Sequence, residues 1–358
     1  MKYLSILLVL VPIVLVMEWL GVGGHSTMFV LSALSLIPLA AVLGNATENV
    51  ATYTGPKIGG LLNATLGNAA ELIITIVALR EGLVTVVKAS ITGSIIGNVL
   101  LVLGAAAFFG GLKHGVQKFD TQVASVNASI MALAVMAMMI PAIFALGNEQ
   151  HRPTDQEIVR LSDGTAIVLI ILYAAYLAGT IFLTGGSKFS VARSSETSAE
   201  TEKAGMSLPM AIGVLVVATL AIVAMSEILV GALEPTADAW GLSDLFVGVI
   251  LVPVVGNIAE HIVAVQVALK NKMELSIGIA IGSAVQIALF VAPVLVLVSQ
   301  FVGPSPITLV FNQFELVALF AAILITVMIS IDGRSNWLEG LQLTALYVII
   351  ALAFFFMP

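Results

Sequence analysis

The sequence predicts an all-α, polytopic membrane protein: eleven transmembrane helices forming an inverted-topology repeat of five plus five after one extra N-terminal helix. Three observations carry this. The 358 residues are 59% hydrophobic and only 10% charged, with mean hydropathy +1.12, whereas a soluble domain carries about a quarter charged residues. Apolar stretches of about 20 residues, the length that crosses a bilayer, follow one another along the chain. One segment also occurs twice, as Gly67-Asn68-Ala69-Ala70-Glu71-Leu72-Ile73 and again as Gly256-Asn257-Ile258-Ala259-Glu260-His261-Ile262.

The first span is expected near residues 3–20. Met1-Lys2 followed by apolar residues admits a signal peptide or a helix. Glu18-Trp19 before Gly21-Val22-Gly23-Gly24 makes a poor cleavage region, so a retained helix is expected. The next five spans fall near 27–51, 58–79, 89–111, 121–145 and 164–184, and the last five near 207–231, 244–268, 275–300, 313–331 and 337–357. Gly55-Pro56, Gly110-Gly111, Gly185-Gly186, Glu234-Pro235, Gly303-Pro304 and Asp332-Gly333 supply turn signals between them. The organisation expected is an N-terminal helix (1–26), a first five-helix repeat (27–186), a cytoplasmic acidic linker (187–206) and a second five-helix repeat (207–358).

Charge sets the orientation. With the N-terminus inside, ten of the 14 Lys and Arg fall in cytoplasmic segments, and only Arg80, Lys88, Arg152 and Arg160 fall outside. That excess supports a cytoplasmic N-terminus. The linker carries Glu196, Glu200 and Glu202 among Ser, Thr and Ala. It reads as a solvated tether, or alternatively as an acidic helix that attracts cations.

The repeat keeps register. Glu260 follows Glu71 by 189 positions, and Gly282-Ser283 follows Gly93-Ser94 by the same 189. Glu48 in the second span has a counterpart in Glu227 in the seventh, although ten extra residues separate Glu227 from Glu260 in the second half. Five helices per unit is an odd number, so the second copy enters from the opposite face. That architecture places a transport site at the bilayer midplane between the halves.

An ionisable group within a span costs roughly 2.5–3.5 kcal/mol on insertion scales, and so marks function by default. Glu71 and Glu260, in matching positions of two apolar spans, are therefore the expected cation- and proton-binding residues, with Asn68 and Asn257 beside them. On a helix Asn68 and Glu71, at i and i+3, share a face, and Asn63, Gly67 and Glu71 share one at spacing four. Gly67-Asn68, Gly256-Asn257 and the nearby Pro253 are expected to weaken or break their helices and free backbone carbonyls. Two carboxylates offer up to four hard oxygens, and Ca2+ takes 6–8. The remainder is expected from Asn oxygens, carbonyls and water.

Ser94, Asn98, Ser283 and Gln286 on the following spans are expected to support the first residues, although Ser at such places also serves close helix packing. Glu48 and Glu227 are candidate proton relays, or acids in interfacial water. His261 points about 100° away from Glu260, which suits a gating or hydrogen-bonding role better than ligation. Desolvated, facing acids favour their neutral form, whereas a divalent cation favours the ionised form. Cation and protons then compete for the same oxygens, which is the thermodynamic basis of antiport.

Other classes fit less well. Zero Cys excludes thiolate metal sites, haem attachment and disulfides, and no basic run suggests nucleic acid. No catalytic constellation accompanies the acids, so an intramembrane enzyme is not expected. A channel would need no mirrored pair of single acids. No resident cofactor is expected beyond the transported Ca2+ and H+. The lipid bilayer is the expected surroundings, and a homo-oligomer is left open.

Gly59-Gly60-Leu61-Leu62-Asn63-Ala64-Thr65-Leu66 running into Gly67-Asn68-Ala69-Ala70-Glu71 resembles the first signature of the proton-coupled cation exchangers, the CAX branch of the calcium/cation antiporter superfamily. Pro253-Val254-Val255-Gly256-Asn257-Ile258-Ala259-Glu260-His261 resembles the second, and Ala46-Thr47-Glu48 and Ser226-Glu227-Ile228-Leu229-Val230-Gly231 are similar to further family elements. The resemblance covers spans two to eleven. It implies Ca2+/H+ antiport, eleven helices, and Glu71 and Glu260 as the transport acids. Ile258 departs from the Ala usual in the family. The Gly-Thr-Ser-type motifs of sodium/calcium exchangers are missing from both motif helices, which argues against sodium coupling. The short ends favour a prokaryotic cell membrane, with a vacuolar or other organelle membrane as the alternative.

Overall fold

The computed structural model describes residues 4–147, 152–180 and 205–357. Over these the chain is helical almost throughout. A 3-10 turn, Leu4–Val9, leads into α1 (Leu10–Leu20), and α2 is the long helix His25–Leu66. There follow α3 (Ala69–Arg80), α4 (Val84–Ile96), α5 (Leu103–His114), α6 (Thr121–Ala145) and α7 (Asp155–Ala178). The second half comprises α8 (Leu208–Gly231), α9 (Leu233–Trp240), the single turn α10 (Asp244–Phe246), α11 (Val252–Ala268), α12 (Met273–Gln286), α13 (Ala292–Val298), α14 (Gln313–Ser330) and α15 (Trp337–Phe356). Two two-residue strands, β1 (Gln117–Lys118) and β2 (Arg334–Ser335), pair antiparallel between helix ends.

Among the described residues nine helices are long and apolar enough to cross a membrane, or ten if the bent pair Ile58–Leu66 and Ala69–Arg80 forms one span. They follow the expected spans in order. The segment at the expected first span, Ile6–Leu20, is a shorter apolar helix. The linker expected at 187–206 lies outside the described residues except for Gly205 and Met206, as do Gly185-Gly186 and the linker acids.

Local chemistry accounts for the helix boundaries. Asp120 accepts from the amides of Gln122 and Val123 to start α6. Reciprocal capping boxes begin α7 (Thr154 with Glu157), α14 (Asn312 with Glu315) and α15 (Asn336 with Glu339). Each satisfies amides that would otherwise be orphaned at a helix start. Gly55, at φ 81°, kinks α2 at the expected Gly55-Pro56 break. Two expected turns prove helical. Gly110-Gly111 lies inside α5, which runs on to His114; a Cβ at Gly111 would strike the Trp337 backbone, so glycine there serves close helix approach, and Glu234-Pro235 opens α9, where proline's missing amide loses nothing in the first turn.

Among the described residues, π-helical turns lie within the spans at Gly97–Val102 between α4 and α5, at Val247–Leu251 before α11, and at Ile287–Val291 between α12 and α13. The first and third lie in the helices that follow the two repeated motifs. Such turns insert a residue without breaking the helix and recur at functional sites.

The core has two parts. The larger joins α4–α7 with α11–α15 and takes in Val77, Ala78 and Leu79 of α3; the smaller joins α1 and α2 with α8 and α9 and takes in Ala70 and Ile74 of α3. In lipid no water is expelled between helices, so close backbone approach by small residues supplies much of the attraction. Gly93 on α4 abuts the Val249 carbonyl and Pro253, and Gly248 abuts Ala89 and the Val86 carbonyl. A Cβ at either would collide with backbone. This crossing sets α4 directly against the second motif helix.

Candidate cation site

The first motif breaks its helix as the sequence suggests. α2 ends at Leu66 and α3 begins at Ala69; Asn68 between them sits at φ −101°, ψ 23°, and the two segments meet at a bend of 42°. The bend places Glu71 in the first turn of α3, a favourable end for a carboxylate, and the residue is 7% exposed. The second motif behaves differently. Gly256-Asn257 and Glu260 lie inside the unbroken helix α11. Pro253 does not break it, because it falls in the first turn of α11, directly after the π-helical turn Val247–Leu251, where a missing amide is tolerated.

Glu71 and Glu260 open on one cavity of about 450 Å3, bounded by α2, α3, α7, α11 and α12. Gly256 passes so near Glu71 that an added Cβ would stand 2.9 Å from Glu71 Cγ. Asn63, Gly67 and Glu71, expected on one face, all line the cavity. So do Glu48, Asn257, Ser283 and Gln286.

Serine and asparagine tie the two halves together. Ser94 Oγ donates to Glu71 Oε1 at 3.3 Å and accepts from Asn257 Nδ2 at 3.2 Å; Asn257 also donates to the Pro253 carbonyl at 3.1 Å. On the other side the Glu260 carboxyl lies against the Ser283 hydroxyl. Ser283 Oγ donates to Asn68 Oδ1 at 3.3 Å and accepts from Asn98 Nδ2 at 3.0 Å. Asn68 Nδ2 in turn donates to Gln286 Oε1. Each serine thus stands beside its own half's glutamate and the other half's asparagine. Asn68, 2% exposed, is occupied at both ends by this network rather than lining the cavity. Glu260 Oε2 is enclosed and has no hydrogen-bond partner.

The remaining expected residues separate. Glu48 faces the cavity, whereas Glu227 does not: it pairs with Arg80 at 3.1 Å on the surface, where Arg80 also meets Glu81. His261 lies outside the cavity lining, with Nε2 enclosed and unpartnered. Sequence reasoning missed Tyr173 and Tyr176, which line the cavity from α7. Their i, i+3 spacing on an otherwise apolar helix is the signal that could have found them. Glu315, buried on α14 and accepting from Thr92 at 3.0 Å, was missed as well; it belongs to a separate polar cluster with Lys88 nearby.

Three carboxyls and no Lys, Arg or His line the cavity among the described residues. No group of three His, Cys, Asp or Glu that could hold a metal occurs among them either. A divalent cation here would draw oxygens from Glu71 and Glu260, supplemented by neighbouring hydroxyl, amide and carbonyl oxygens and water.

Comparison with known proteins agrees with the fold. The model of the sodium/calcium exchanger protein family matches residues 25–182 and 210–356. A Ca(2+)/H(+) antiporter of Synechocystis sp. is 46% identical, covering 100% of this chain and 98% of that protein. A Ca(2+)/H(+) antiporter of Bacillus subtilis is 44% identical over 92% of each. The solved structure of native YfkE superposes with a TM-score of 0.84 at 40% identity, covering 99% of this chain and 100% of that one. The chain is an integral membrane protein of the sodium/calcium exchanger family and belongs to its proton-coupled cation exchanger branch.

Proposed function

We propose that the protein is a secondary antiporter that exports Ca2+ from the cytoplasm in exchange for H+. The observation that carries this reading is the cavity: three acids, no cationic side chain, and two of the acids at matching positions of a duplicated motif. The printed names of its relatives, Ca(2+)/H(+) antiporters from bacteria and vacuolar calcium and cation/proton transporters from yeast and plants, support the same cargo.

In the mechanism, Glu71 and Glu260 hold either the cation or protons. Two enclosed carboxylates left bare would be poorly solvated and mutually repelled, so the charged, empty pair is the state to avoid. Ca2+ neutralises both; protonation does the same. Each loaded form can move, and one displaces the other. Ser94 and Ser283 keep the carboxyls aimed by linking each to the opposite half. Other divalent cations meet the same oxygens.

The two halves, 27–186 and 207–358, are taken as inverted five-helix units, with Ile6–Leu20 as an eleventh span outside them and the pair of acids near the midplane. Alternating access then follows from rocking of the smaller core, α1, α2 and α8, against the larger. With the N-terminus cytoplasmic, Glu48 lies toward the cytoplasmic end of its span and Glu227 toward the outer end of its own. On that orientation Glu48 stands on the cytoplasmic side of the cavity and the Arg80–Glu227 pair on the outer side. The membrane is taken as a prokaryotic cell membrane.

The test is Ca2+ uptake by reconstituted vesicles under an imposed pH gradient, with and without Na+. Uptake that follows the pH gradient and ignores Na+ is expected. Uptake that needs Na+, or that proceeds as uncoupled conductance, sinks the reading.

A further inference from the structure

The break at Gly67-Asn68 leaves a definite debt of hydrogen bonds. Because α2 stops at Leu66, the Ala64 carbonyl does not receive the amide of Asn68, its partner in a continuous helix. At membrane depth an orphaned carbonyl is costly. The phenol of Tyr173 meets this need: its hydroxyl donates to Ala64 O at 2.8 Å, across 109 residues of sequence and from a different helix. Tyr173 is itself 4% exposed. Its ring stacks on Phe290, centroids 5.4 Å apart, in the π-helical turn that directly follows Gln286. Gln286 in turn accepts from Asn68 on the far side of the break.

We infer that Tyr173 is a positioning residue: its hydroxyl takes the place of the Asn68 amide at Ala64, holds the 42° bend, and thereby aims Glu71 into the cavity. The consequence for transport rests on the antiport reading above. Without the hydroxyl, the cheapest partner for Ala64 O is the amide four residues on. Forming that bond extends α2 through the break, straightens the segment and turns Glu71 away from Ser94 and from the Glu260 side of the cavity.

Tyr173→Phe removes only the hydroxyl and keeps the stacked ring. Two readouts apply. The chain has no native Cys, so spin labels at Leu61→Cys and Glu81→Cys report the distance across the bend by pulsed EPR. Tyr173→Phe is expected to lengthen and broaden that distribution, and in vesicles to raise the KM for Ca2+ about 5–10-fold, the scale of one lost buried hydrogen bond, with maximal rate much less affected. 3-Fluorotyrosine at 173 keeps the donor and is expected to match wild type in both. An unchanged distance distribution overturns the inference, and so does an unchanged KM, with or without a lower melting temperature. If wild-type vesicles show no pH-driven Ca2+ uptake, the antiport reading falls while the EPR distances still decide whether Tyr173 holds the bend.

Discussion

The side-chain amide of Asn257 donates to the hydroxyl of Ser94 across 3.2 Å, joining the two halves of the chain one hydrogen bond away from Glu71. The reciprocal contact runs from Ser283 to Asn68 at 3.3 Å, beside Glu260. The serine beside each acid is bonded to the other half's asparagine, so relative movement of the halves acts on the surroundings of both acids together.

Ser94→Ala is expected to weaken Ca2+ binding without unfolding the protein. It removes the donor to Glu71 and leaves a buried Asn257 N–H short of its acceptor, a loss of about 1–3 kcal/mol. The KM for Ca2+ uptake should rise by roughly one order of magnitude. An unchanged KM would show that the hydroxyl only fills space.

Glu71→Gln keeps the size of the side chain and removes its ability to exchange a proton for a cation. Coupled Ca2+ flux is expected to fall by about 100-fold or more, with the melting temperature in detergent unchanged or higher, since a buried ionisable group is gone. Robust proton-driven flux in this variant would exclude the mechanism.

Gly256→Ala tests the packing of the motif helix. The new methyl would stand 2.9 Å from Glu71 Cγ, which forces the carboxylate aside. Transport should drop about tenfold or more while stability falls by about 1–3 kcal/mol at most, the usual range for overpacking. Gly93→Ala, whose Cβ meets the rigid Val249 carbonyl, is expected to damage folding more, read as yield of monodisperse protein.

The pH dependence follows by linkage. Ca2+ binds the ionised pair, so binding releases protons and affinity must rise with pH wherever the empty pair is protonated. For each proton displaced, the apparent KM is expected to rise by up to about tenfold per pH unit of acidification. A KM flat between pH 6 and 9, as order-of-magnitude bounds on the working range, would contradict competition.

Much of the site was legible in the sequence because the cost of burying an acid in lipid makes each one conspicuous. Glu71 and Glu260, like Ser94 and Ser283, stand at one constant offset; both acids and Ser283 line one cavity, and Ser94 bonds Glu71 at its edge. What escaped notice depends on distant contacts. The Tyr173–Ala64 bond spans 109 residues, and nothing near Tyr173 in sequence announces its partner. The π-helical turns have the same Val, Ile and Leu content as the α-helix around them. Pro253 reads as a breaker, yet a π-helical turn ahead of it puts its missing amide where none is needed. Glu48 and Glu227 look equivalent in sequence, but one faces the cavity and the other an arginine.

The most direct measurement is proton release on adding Ca2+ to the purified protein in weakly buffered, Na+-free detergent solution. Wild type should release protons in proportion to the Ca2+ bound, and Glu71→Gln with Glu260→Gln should release none. Ca2+ binding to wild type with no proton release, or undiminished release from the double variant, would contradict the account.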